Sequence, residues 1–292
     1  MLVKIVLLIT IVPLFAQEIN DGLSDSVIYS GKYLGQKPPG KVPGLFAQGM
    51  ISDDVHDSPN IFLNEEEMVI LTMGEGLKYY KLIDEKWVEQ ERLPFNQPEI
   101  CNEIFLSPSG KRVYFLAYEN GDENFYYTEI TVEGWSEMKS LGDDVNSFVT
   151  HWQFSTTKNE DLYLSSGNYI MVSRFDGKKY LKPVYLKMEN NESIKGYTPY
   201  IAPDESYMIY SIRTNASDKF SDLYISYKLS KDKWSNPIDL GSKINCRDKL
   251  DLCPIVSPNG RYLFFISRRL GSHFQVFWVD AEFIEDLKPK DL

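Results

Sequence analysis

The segment Ser257–Phe265 reads Ser-Pro-Asn-Gly and then Arg-Tyr-Leu-Phe-Phe, and it constrains the fold most because the chain repeats it. Ser107–Phe115 is a close copy, and Ala202–Tyr210 is a third with Glu205 in place of the turn glycine. Proline presets φ at the first corner of a tight turn, and Asn-Gly or Ser-Gly supplies the positive φ of the last. Degraded copies lie at Ile61–Leu71 and Gln153–Leu164. Aligned on their turn-entry residues, Asn64, Ser107, Thr156, Ala202 and Ser257, the copies are spaced by 43, 49, 46 and 55 residues. Strand-rich repeats of that length are propeller blades of four strands each, not helical solenoids.

The rest of each repeat keeps the same phase. An aromatic-rich third strand follows the turn unit, at 77–82, 125–130, 169–175, 223–229 and 274–279. A fourth strand is marked by an aromatic residue and then a leucine: Trp87 with Leu93, Trp135 with Leu141, Tyr180 with Leu186, Trp234 with Leu240. Pro43–Ile51 resembles a fourth strand with no first three before it, and the last copy has three strands and little chain after Val279. Placing the N-terminal strand on the last blade closes the ring and leaves no open blade, which gives an all-β, five-bladed propeller. The rival is a sixth blade built from 25–34 with 281–287, although Glu282–Leu287 also reads as a short helical turn ended by Pro289. An aromatic content of 14%, with 19 Tyr and 16 Phe, favours strands throughout.

Charge and targeting narrow the partners. A net charge of -11, from 42 acidic and 31 basic residues, argues against a nucleic-acid backbone or an anionic membrane as the main partner. The charged start, the apolar run through Phe15 and the small Ala16 describe a signal peptide at 1–16, so the mature chain is expected to be exported, periplasmic or secreted. Residues 17–42 then form an N-terminal extension and 43–292 a single, monomeric propeller domain without an integral membrane segment. Export permits disulfides. Cys246 and Cys253 flank a loop that a disulfide would close, leaving Cys101 free; in the alternative all three are reduced and buried. Neither arrangement makes a metal site.

The turn-plus-strand copies, with Trp-Ser-x-Pro-x-x-Leu-Gly at Trp234–Gly241, resemble the TolB-type PD40 (WD40-like) propeller repeats of exported bacterial proteins. Pro254–Arg269 follows the family pattern P-x-x-S-P-D-G-x-x-L-x-F-x-S-x-R with Asn259 for the Asp, and Pro199–Arg213 follows it without the Gly. The resemblance spans about 43–280. It implies the fold and says little of function, since the group includes protein-binding periplasmic modules as well as propeller domains attached to peptidases.

In such a fold the residues four before each turn entry stand near the channel mouth: Asn60, Glu103, Trp152, Thr198 and Cys253, with Asn102, His151, Tyr197 and Asp251 beside them. Flat rings for stacking with amides and carboxylates for hydrogen bonding suit a protein, peptide or glycan. Arg213, Arg268 and Arg269 fall on the same face, as forks for a carboxylate or as partners of the acidic loops. Those loops, with Asp53, Asp54, Asp57, Asp143, Asp144, Glu189, Glu192, Asp248 and Asp251, are oxygen-rich enough for calcium but lack a D-x-D-x-D-G spacing, and solvated carboxylates are the expectation, with no cofactor. The sequence therefore points to a non-enzymatic binding module. The alternative is a carbohydrate-active hydrolase or lyase using His56 or His151 with Glu103 as an acid–base pair.

Overall fold

The computed structural model describes residues 31–47, 64, 66–72, 76–93, 95, 101–119, 122–148, 153–213, 220–231 and 233–292. Five antiparallel sheets stand in a ring as a five-bladed propeller. Blade 1 contributes Glu67–Thr72, Gly76–Ile83 and Lys86–Gln90. Blade 2 runs Cys101–Leu106, Arg112–Glu119, Asp122–Thr131, and an outer strand split into Gly134–Trp135 and Lys139–Ser140. Blade 3 is Ser155–Thr156, Leu162–Ser166, Tyr169–Ser173 and Val184–Tyr185. Blade 4 is Tyr197–Ile201, Tyr207–Arg213 and Ser221–Ser230, with Lys233–Trp234 and Ile238–Asp239 outside. Blade 5 is Asp251–Val256, Tyr262–Ser267 and Gln275–Asp280, and its outer strand is the N-terminal Gly44–Leu45, with Gly44 opposite Trp278 and Leu45 opposite Phe277. Both ends of the ring thus share one sheet. The rival sixth blade does not form: Lys32–Gly35 is a 3-10 turn and Phe283–Asp286 a short helix.

Each blade is a thin sheet buried on both faces, so its second strand reads as a continuous apolar run, and alternate residues enter different cores. Tyr262, Phe264 and Ile266 pack towards blade 1, while Leu263 and Phe265 pack towards blade 4. Tyr114 and Leu116 face blade 3, and Val113 and Phe115 face blade 1. Met208 and Tyr210 face blade 3, whereas Ile209 faces blade 5. The result is five apolar clusters, one per blade interface. Ile255, on the inner strand of blade 5, touches three of them.

Residues 31–47 belong to this packed body. The Gly31 amide donates to Glu85 O at 2.8 Å and the Trp87 indole donates to Gly31 O at 2.9 Å, which ties the segment to the outer hairpin of blade 1. Tyr33 then packs edge-on to Tyr262 with ring centroids 4.9 Å apart, and Phe46 is fully buried against Phe264 and Trp278. Gln36 accepts the Ala47 amide at 2.8 Å. The strap therefore binds first and last blades together before its strand joins blade 5.

Candidate functional site

The tight turns gather at one end of the channel, and two of them carry glutamate where the closing glycine is expected. Gly110 and Gly260 sit at φ 70° and 73°, and Glu160 and Glu205 adopt the same left-handed conformation at 71° and 63°. Their amides close the turns onto Ser107 O, Ser257 O, Thr157 O and Ala202 O. Blade 3 therefore enters its turn at Thr157, one residue later than the sequence alignment placed it. A non-glycine residue here costs about 1–2 kcal/mol, and the side chains offset it by reaching back to the preceding blade. Glu160, buried, accepts Ser107 Oγ at 2.8 Å, Ser109 Oγ at 2.5 Å and Tyr114 OH at 2.6 Å. Glu205 accepts Tyr163 OH and Arg174 Nη1 from blade 3 and pairs with Lys228 of its own blade. Burial opposes ionisation of Glu205, but Lys228, Tyr163 and Arg174 outweigh it and hold the carboxyl below the ordinary value of 4.5.

One strand length further along the channel, the inner strands bulge, with register breaks between Cys101 and Glu103, Tyr197 and Tyr200, and Leu252 and Ile255. With blade 3 counted from Thr157, the equivalent positions are Glu103, Gln153, Thr198 and Cys253, all buried. Thr198 and Cys253 hold φ of 50° and 53°, each followed by a proline whose carbonyl is free to accept. Gln153 Nε2 donates to Pro254 O at 2.5 Å, and Ser155 Oγ to Pro199 O at 2.9 Å. The Cys253 amide donates to Thr198 Oγ1 at 3.3 Å, and Thr198 shares a 2.8 Å hydroxyl bond with Ser211. These bonds stitch blades 3, 4 and 5 together. Gln153 Oε1 has no partner among the described residues. Cys246 and Cys253 are free thiols, so the disulfide alternative between them does not form. Burial, then the charge of Glu103, pushes the Cys253 thiol well up.

At the loop end the described candidates are mostly engaged with one another. Asp251 is fully buried; it accepts Arg269 Nη2 at 2.9 Å and the Cys246 amide at 2.7 Å, and the Arg269 guanidinium lies over Phe265 and Phe277. The pairing of an arginine with an acidic loop is thus realised by Arg269. Arg213 donates to Asn168 at 3.0 Å and covers the buried ring of Tyr197. Arg268 lies over Phe274 at 4.2 Å, and its Nε has no partner among the described residues. Asn60, His56, His151 and Trp152 lie outside the described residues, as do the side chains of Cys101 and Asn102. Beside this end Asp222 is pushed up to about 6 by burial and by Asp239, Asp251 and Asp248, against the pull of Arg247. Among the described residues no group of three or more His, Cys, Asp and Glu side chains is placed to hold a metal ion.

The turn end holds the concavity that sequence reasoning missed. A cavity of about 380 Å³ opens there on the axis, lined by Phe105 and Leu106 of blade 2, Tyr200 and Tyr207 of blade 4, and Ile255 and Phe264 of blade 5. Pro108, Pro203 and Pro258 stand exposed at its rim with Lys158 from the turn of blade 3. Its polar groups are largely internally bonded: Ser107 to Glu160, Ser257 Oγ to Asn259 at 2.9 Å, and Tyr200 to Tyr207. The lone signal in the sequence was the turn motif itself, whose prolines make the rim.

No family model matches the sequence, and no curated protein is similar to it. Similar solved structures include a putative TolB from Agrobacterium tumefaciens, with a TM-score of 0.50 at 14% identity over 77% of this chain and 76% of that one. TolB from Acinetobacter baumannii gives 0.45 at 13% identity over 74% of this chain, which spans just over half (55%) of that protein. An endo-arabinase from Bacteroides thetaiotaomicron gives 0.48 at 11% identity over 79% and 95%. At these identities the likeness is one of fold alone, a β-propeller.

Proposed function

We propose that this chain is an exported, non-enzymatic binding module that takes a protein or peptide partner at the turn end of its propeller axis. The observation that carries the reading is the apolar, recessed cavity lined from blades 2, 4 and 5. A concave apolar site with a few polar groups at its edge is the usual form of a recognition pocket. The hydroxyls around it are bonded to neighbours, which suits holding a side chain better than moving a proton. At the loop end, Asp251, Arg213 and Tyr197 are already occupied with each other's surroundings. Export rests on the composition of residues 1–16.

The test is to pan a displayed peptide library on the mature protein and measure selected binders against four variants. Pro203→Glu and Pro258→Glu place a negative charge at the exposed cavity rim without touching a core, whereas Arg213→Ala and Arg268→Ala alter the loop end. Binding lost only in the rim variants supports the reading. Binding lost only in the loop-end variants overturns it.

A further inference from the structure

We propose that the partner is an extended acidic segment that sets one bulky apolar side chain into the axial cavity and lays its carboxylates along Lys158 and Lys111. This rests on the turn end being the binding end. Lys158 lines both the axial cavity and a second concavity of about 340 Å³, which runs outward between blades 2 and 3 past Lys111, Asn159 and Phe175. The two concavities adjoin at Lys158, an arrangement that fits a chain crossing from the axis to the blade edge.

The charges along this path are unevenly spent. Arg112 binds Glu129 at 3.2 Å and lies over the rings of Tyr127 and Phe175 at 4.7 and 4.3 Å. Glu129 also pairs with Lys139, and Glu160 is saturated by three hydroxyls. Lys111 and Lys158 are exposed, and no described carboxylate pairs with either. The Lys158 backbone is nevertheless fixed, its amide donating to Pro203 O at 2.8 Å, so the ammonium is presented from a set position at the cavity rim. Lys111 and Lys158 beside an apolar recess favour locally an acidic ligand with an apolar anchor, against the long-range repulsion of a chain whose net charge is -11. The recess lies below the prolines of the rim, so a flat anionic bilayer does not reach it.

The probe is a peptide amide, Asp-Glu-Gly-Phe-Gly-Asp-Glu, carrying fluorescein on its N-terminal amine and followed by fluorescence anisotropy, with two controls: Lys for every acid, and Gly for Phe. The expected result is saturable binding of the acidic Phe peptide alone, weakened about tenfold or more by Lys111→Glu with Lys158→Glu, and weakened by salt between about 50 and 300 mM. Equal binding of the acidic and basic peptides, or no change in the double charge reversal, overturns the proposal. If that charge-blind binding is still lost in Pro258→Glu, the binding-end reading stands without it. If the acidic peptide fails to bind, or its binding is lost in Arg213→Ala with Arg268→Ala and kept in Pro258→Glu, the proposal falls, and the second pattern takes the binding-end reading with it.

Discussion

Replacing Glu205 with glycine removes a residue from a left-handed turn position that glycine fills at no steric cost, so the turn taken alone predicts a gain of about 1–2 kcal/mol. The side chain predicts the opposite. Its loss leaves the buried Tyr163 hydroxyl without its acceptor, at about 1–3 kcal/mol. It also leaves Lys228 without the carboxylate it pairs with and Arg174 with Asp161 alone. Those cations are 20% and 27% exposed, so solvent screening reduces the penalty of a broken buried pair to about 1–2 kcal/mol. The net expectation is a loss of about 1–3 kcal/mol, read by urea unfolding at pH 7. Glu205→Gln keeps the turn strain and an acceptor for Tyr163 but loses the charge, and it should lose about 1–2 kcal/mol. The folded carboxyl titrates below 4.5, so its stabilisation is complete above that value and is lost as pH falls through the lower folded value. The gap between wild type and Glu205→Gln should accordingly close in acid. A Glu205→Gly variant as stable as wild type, or a gap independent of pH, would refute the view that these glutamates lock adjacent blades.

Three further outcomes follow from the same geometry. Asp222 titrates near 6, above an ordinary aspartate, so it stabilises the fold less as pH rises from about 4 to 6; Asp222→Asn should gain up to about 1 kcal/mol at pH 7 after screening and nothing at pH 4. Gly196→Ala should cost about 2 kcal/mol or more by thermal unfolding, because a Cβ there would meet Tyr210 Cδ2 at 2.5 Å and Ser211 O at 3.0 Å. Iodoacetamide on the native protein should modify the half-buried Cys246 well before Cys253, whose thiol is buried and pushed up; site-resolved mass spectrometry showing the reverse order would contradict the closed channel wall.

The ring was legible because Pro and Gly punctuate it: Ser107–Gly110 and Ser257–Gly260 fix where strands begin, and the phase measured from them puts the Leu45 strand on the outer edge of the last blade, where it pairs with Phe277. The third blade shows where the ruler slips. Its turn closes on Glu160, and glutamate carries no sequence signal for positive φ, so the alignment fell on Thr156. Glu205 in the next blade was the missing clue, since the two glutamates do the same work on adjacent interfaces. A slip of one residue in a strand exchanges its two faces, and counted from Thr157 it is Gln153 that occupies the position of Glu103, Thr198 and Cys253. The cavity was not legible at all. It arises from the meeting of Phe105, Tyr200 and Ile255 across the axis, a sum over three blades that no local pattern encodes.

The placement of binding at the turn end is tested most directly by hydrogen exchange of the mature protein with and without a selected peptide. The account predicts slower exchange in 104–111, 156–160 and 255–260 and unchanged exchange in 196–198 and 267–274. Protection confined to 196–198 and 267–274 would contradict it and return the site to the loop end.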